Sequence, residues 1–205
     1  ASTDLRQYSV STGDFWTAFL QGKHYSNGKT RDVTFWCPVS RCWCVAELTG
    51  PIYGEQIGGK NWKDTVGNDY LFGELGSVES MNQQGSYYHA ERDITVVFWV
   101  DDPFIKAPLS GTNGAADAME QLHAQMGSRF KMRNFQRLTH KKPLTYIGMR
   151  VSAAGDGSGK MYLDSAEYIQ QILEEENMLE CNPVKVPMTR DVLKAAAASP
   201  ILVDE

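Results

Sequence analysis

The run "VVFWVDDPFI", residues 96–105, sets two adjacent aspartates inside a β-branched and aromatic stretch. Carboxylates are almost never buried without a partner, so Asp101 and Asp102 demand an explanation. One reading is a solvated hairpin tip: Asp folds its side chain onto the backbone and Pro fixes φ, which is sound turn chemistry. The other is half of a cation site, completed by a third carboxylate at a neighbouring strand end. Mg2+ takes hard oxygen ligands and keeps several waters, so two or three aspartates plus substrate phosphates suffice. Nucleotidyl transfer uses two such ions about 3.5 to 4 Å apart. At a hairpin tip adjacent aspartates can face one cleft, whereas mid-strand neighbours point to opposite faces. Asp14, expected at the end of a separate strand, is the best third member. Asp4, Asp32, Asp64, Asp69 and Asp93 fall in loops or on polar helix faces.

Around this run the chain reads as strands mixed with helices. Residues 5–13 predict a strand ending at Gly13, and Asp14 then ends it or caps a short helix with Phe15, Ala18 and Phe19. Residues 22–60 read as an irregular excursion with β-like pieces "DVTFWC" and "CWCVAEL". Trp62, Val66, Tyr70 and Phe72 recur at helical intervals. "SYYHA" and "ITVVFWV" predict an antiparallel pair, with "PFIKA" returning as a third strand. Ala115, Met119, Leu122 and Met126 mark one face of a helix. "LTYIGMRV" and "KMYL" predict a hairpin across a Gly-rich turn. "DSAEYIQQILEEENMLE" is a helix with Asp164 and Glu167 as a capping pair. The class is α+β with an antiparallel sheet and packed helices. No repeat or Gly-rich phosphate loop is visible.

Charge bears on the partner. The 205 residues carry a net charge of −5, which globally argues against a polynucleotide. Locally, "RFKMRNFQRLTHKK" at 129–142 gathers Arg129, Lys131, Arg133, Arg137, Lys141 and Lys142. It is either a solvated face or, with Phe130, Met132 and Phe135 interleaved, a phosphate-tracking surface. Cys37, Cys42 and Cys44 have C-x4-C-x-C spacing rather than the paired C-x2-C of a zinc ribbon. Reduced thiols in an intracellular protein, cytoplasmic or nuclear, are expected. No apolar run is long enough for a membrane span. The first residues show no signal peptide and no initiator Met, so a piece of a longer polypeptide is expected.

The ordered motifs resemble the reverse transcriptase domain of Ty1/copia-type LTR retrotransposons. "DFWTAFLQG" is similar to that family's Asp-x-x-Thr-Ala-Phe-Leu-x-Gly block, and "IYG" with Trp62 to its Leu-Tyr-Gly…Trp block. "FWVDD" resembles its Tyr-Val-Asp-Asp box. "FKM", "YIGM", "MYLDSAEYIQQIL" and "MLECNPVKVPM" follow in the family's order, so the likeness spans about residues 14–188.

The resemblance implies a right-hand polymerase fold. Residues 1–21 would open the palm, and 22–60 would form a partial fingers-like excursion. Residues 61–164 would hold the palm with the Asp-Asp hairpin and a primer-grip-like hairpin, and 165–205 the start of a thumb and a tail. It implies RNA-directed DNA polymerase activity, adding dNTPs to a primer 3′-hydroxyl on an RNA or DNA template. Asp14, Asp101 and Asp102 would be the catalytic and metal-binding residues for two Mg2+ ions, or Mn2+. Phe15, Phe19 and Gln56 would meet the nucleotide, and Arg129, Lys131, Arg133, Lys141 and Lys142 the nucleic acid. Integrase and RNase H would be neighbours in a Pol polyprotein. The departures are Ile57, where the family has a nucleotide-contacting Gln, and Pro103, which removes a backbone donor after the Asp pair. A missing basic finger segment, which the resemblance places before the palm, is expected as a further departure. These departures motivate a second expectation, an inactive, truncated remnant that serves as a nucleic-acid or protein interaction module.

Overall fold

The computed structural model describes residues 3–25, 30–109, 117–182 and Lys194. The chain divides into two compact units, residues 1–166 and 167–205. In the first, strands β1 (Tyr8–Phe15), β4 (Val78–Glu79), β5 (Ser86–His89), β6 (Ile94–Trp99), β7 (Asp102–Pro108) and β8 (Met132–Arg137) build one sheet. Its order is β4-β5-β6-β7-β1-β8, and every neighbouring pair is antiparallel. The strand from the N-terminus runs on through Asp14 to Phe15 instead of ending at Gly13. A short 3-10 turn, Ala18–Gln21, follows where a helix was expected.

Alternation along the central strands divides their side chains between two cores. Phe15, Val96, Ile105 and Ala107 face a layer of helices. That layer holds α1 (Gly58–Lys63), which runs directly into a π-helix, Asp64–Glu74, and α2 (Ala118–Arg129). Asp117 caps α2, its carboxylate accepting the Met119 N–H at 2.9 Å. Met119, Leu122 and Met126 are buried as their spacing predicts, while Ala115 lies outside the described residues. The π-helix changes the sequence-based register. Leu71 is buried and Phe72 is exposed, because i→i+5 bonding widens each turn and rotates later positions. Gly67 is required here, since a Cβ on it would collide with the buried Tyr87 ring and hydroxyl.

On the opposite face Val10 and Phe104 pack with Leu138, Leu144 and Val151. These last two belong to a three-stranded sheet, β11-β10-β9: β9 (Leu144–Tyr146), β10 (Met149–Ala153) and β11 (Met161–Asp164). "LTYIGMRV" is therefore two strands. Ile147 and Gly148 form a two-residue turn with φ of +44° and +78°, the signs of a type I′ hairpin. Strands β2 (Arg31–Cys37) and β3 (Cys42–Leu48) pair as a separate hairpin with mostly exposed side chains.

Helix α3 (Ala166–Glu175) begins the second unit's fold; Asp164 accepts the Ala166 N–H at 3.2 Å. No residue of α3 is buried, and Tyr168, Ile169 and Ile172 are exposed along its apolar stripe. "NPVKVPM" and the Ala-rich tail lie outside the described residues. Among the described residues no helix is long and apolar enough to cross a membrane.

Candidate active site

Strand parity brings two of the three aspartates to one face. Val10, Thr12 and Asp14 share a side of β1, and Asp102, Phe104 and Lys106 share a side of β7. Val10 and Phe104 both belong to the core under β9–β11, so Asp14 and Asp102 project over that same layer at the strand ends. Together they line a polar cleft of about 360 Å3 with Thr12, Asn134, Gln136 and the Tyr146–Ile147–Gly148 turn. Asp101, one residue earlier, is in the hairpin loop and does not line this cleft.

The loop is held from two sides. Trp99 pairs with Asp102, leaving Val100 and Asp101 as the two-residue connection. Val100 has φ +57°, a left-handed conformation that a β-branched residue adopts only where the surroundings enforce it. The buried Trp62 indole N–H donates to its carbonyl at 2.7 Å. On the other side the Phe15 N–H donates to the Asp101 carbonyl at 2.9 Å. Pro103 sits just inside the loop. The last registered β1–β7 pair is Thr12 with Phe104, and the next position on β7 is Pro103. Pro103 has no N–H to continue the ladder, yet its carbonyl is satisfied by the Thr12 hydroxyl at 3.0 Å.

A β-bulge supplies the counter-charge. Thr12 pairs with Gln136 but Asp14 pairs with Arg133, so β8 spends one extra residue; Asn134 there has φ +54°. Bulges re-aim side chains, and this one sets Arg133 opposite Asp14, where its Nε donates to Oδ2. Among the described residues Asp102 has no such partner. Its carboxyl is pushed above the ordinary carboxylate value by burial first, then by the charges of Asp101 and Asp14.

The other expected site residues separate into three groups. Phe15 is fully buried, its ring 5.0 Å from Trp62 and 5.5 Å from Phe130; what it offers the site is its N–H. Phe19 stacks on Tyr53 at 4.8 Å and lines an apolar cavity of about 310 Å3 behind the hairpin with Trp62, Trp99 and Val100. Gln56 is exposed in the turn before α1, and Ile57 lines a different cleft with Lys23, Arg31 and Lys60. Of the basic cluster, Arg129 pairs with Glu74 at 3.6 Å, Arg137 with Asp117 at 2.5 Å and Arg133 with Asp14. Lys131, Lys141 and Lys142 are exposed with no acidic partner among the described residues.

Three hard carboxylates with mutually repelling charge suit a divalent cation in kind. Among the described residues, however, no three His, Cys, Asp or Glu side chains are arranged as a ready-made metal cage. The Ile147–Gly148 turn and the Asn134 bulge are parts of the cleft that reading the sequence missed. The Gly after a short apolar strand was the available signal for the turn. A family model described as reverse transcriptase (RNA-dependent DNA polymerase) matches residues 31–190. The matched segment includes Asp101 and Asp102, and Asp14 lies upstream of it.

Proposed function

The chain belongs to the reverse transcriptase family of RNA-dependent DNA polymerases, and on that premise we propose that Asp14, Asp101 and Asp102 form the nucleotidyl-transfer site of a polymerase palm. The observation that carries this reading is the shared cleft of Asp14 and Asp102 at adjacent strand ends. The three carboxylates would hold Mg2+ or Mn2+, which when bound supply the charge that activates a primer 3′-hydroxyl and neutralises dNTP phosphates. Each of the chain's own residues then has a task. Trp62 and Phe15 fix the Val100–Asp101 loop through its two carbonyls. Tyr146, Ile147 and Gly148 wall the cleft where a primer end would rest. Lys131, Lys141 and Lys142 offer exposed charge to a template–primer backbone. Palm, partial fingers over 22–60 and the start of a thumb from 165 are the assignments that accompany this reading.

Primer extension tests it. With a DNA primer on an RNA template, dNTPs and Mg2+, the parent extends. Asp101→Asn and Asp102→Asn each reduce extension by at least about a hundredfold, the scale of losing a principal transition-state contact. Equal extension by parent and variants would sink the assignment. A second reading, a non-catalytic remnant, is favoured by the Arg133–Asp14 ion pair, which occupies the third carboxylate. It predicts no extension by the parent and no Asp-dependent binding of Mg2+ or Mn2+ in calorimetry.

A further inference from the structure

The β2–β3 hairpin ends in three thiols on one face. Cys37 stands directly opposite Cys42 in the register, and Cys44, two residues along β3, shares the side of Cys42. The Cys42 and Cys44 sulfurs are 3.7 Å apart. Ser40, in the connecting loop, touches all three. Its N–H donates to Cys37 Sγ at 3.5 Å, and its hydroxyl lies 3.2 Å from Cys42 Sγ and 3.7 Å from Cys44 Sγ. Cys42 is exposed, Cys37 and Cys44 are half-buried, and all are free thiols. Nothing in the polymerase reading uses them.

We propose that this hairpin tip is an oxidation site at which a hydroperoxide converts Cys37 and Cys42 to a cross-strand disulfide. The pair is chosen by geometry. Directly opposed residues on antiparallel strands have Cα atoms about 4.5 to 5.5 Å apart, within the range a disulfide spans. Cys42 and Cys44 follow one another along a strand at about 6.6 Å, near its upper limit. The chemistry balances with one peroxide. The exposed Cys42 thiolate attacks a peroxide oxygen, an S–O bond forms as the O–O bond breaks, and the departing hydroxide takes a thiol proton to leave as water. The Cys37 thiolate then attacks Cys42 sulfur; the S–S bond forms, the S–O bond breaks, and a second water departs with the other proton. Hydrogen bonding from Ser40 lowers both thiol pKa values, first through its hydroxyl, which favours the thiolates needed for both steps.

Trypsin distinguishes the outcomes, because Arg41 separates Cys37 from Cys42. A Cys37–Cys42 disulfide joins peptide 32–41 to peptide 42–60, whereas a Cys42–Cys44 bond stays within 42–60. The full chain is treated with hydrogen peroxide, free thiols are alkylated, and the digest is read by mass spectrometry. Expected are the joined peptides, their loss in Cys42→Ser, and their retention in Cys44→Ser. Cys181, a free and exposed thiol outside this hairpin, is the internal control and loses alkylation about tenfold more slowly. A disulfide confined to 42–60, bonds only between chains, or equal oxidation of Cys181 overturns the proposal.

Discussion

Arg133 donates from Nε to Asp14 Oδ2 across the β1–β8 bulge, joining residues 119 positions apart in the chain. Asp14 thereby has a cationic partner, while among the described residues Asp102, in the same cleft, has no ion pair. The two carboxylates thus enter any ligand-binding event in different electrostatic states.

Freeing Asp14 should strengthen cation binding. The Arg133 side chain is 56% exposed and that of Asp14 18%, so solvent screens the pair and its breaking costs about 1 kcal/mol or less. Arg133→Ala is expected to tighten Mn2+ or Mg2+ binding by about two- to fivefold in titration calorimetry, a ratio that follows from that energy. Unchanged affinity would mean that Asp14 is not a ligand.

Asp102 makes a pH-dependent contribution of definite sign. Its carboxyl is raised from the usual 3.8 by burial and by Asp101 and Asp14, so the folded chain holds its proton over a window where the unfolded chain has lost it. Stability therefore falls as pH rises through that window, and the cost is fully present above it. In urea melts Asp102→Asn should be more stable than the parent at pH 7 and indistinguishable from it near pH 3.

His123 works in the opposite direction. Burial, and then the charge of Arg137, pull its pKa from 6.5 to about 4. The unfolded chain takes up a proton first, so stability is lost as pH falls from about 6.5 towards about 4. His123→Leu should flatten that part of the stability–pH curve, measured by thermal melts at half-unit intervals.

The hairpin tip stores strain at Val100. Left-handed backbone costs an L-residue about 1–2 kcal/mol, whereas Gly carries no such penalty and loses about 0.5–1 kcal/mol in chain entropy. Val100→Gly should therefore raise stability by up to about 1.5 kcal/mol, the largest difference of those terms. Trp62→Phe, which leaves the Val100 carbonyl without its indole donor, should lower it by about 1–3 kcal/mol. Chemical denaturation of the two variants checks both directions.

Much of the local structure was legible. Alternation in "ITVVFWV" and "PFIKA" predicted β6 and β7, and the Met119–Leu122–Met126 spacing predicted α2. β8 was not, because "KMRNFQR" alternates poorly and reads as a basic surface. It becomes a strand by completing the edge of β1. The single strand expected over 144–151 split for a similar reason. Ile147 is an unusual residue for a left-handed turn position, and the packing of Leu144 and Val151 against Val10 sustains the conformation there.

By itself the sequence determined the α+β class, the Asp101–Asp102 hairpin and the order of motifs that marks the family. All of these rest on interactions between near neighbours, or on a linear pattern. Only the tertiary structure decided which carboxylates share a cleft. Period-two alternation sets the face of each residue within its own strand. Whether the faces of two strands coincide depends on register, and a one-residue bulge at Asn134 resets it. The pairing of β1 with β7 puts Asp14 beside Asp102, the loop leaves Asp101 outside their cleft, and the bulge delivers Arg133 to Asp14.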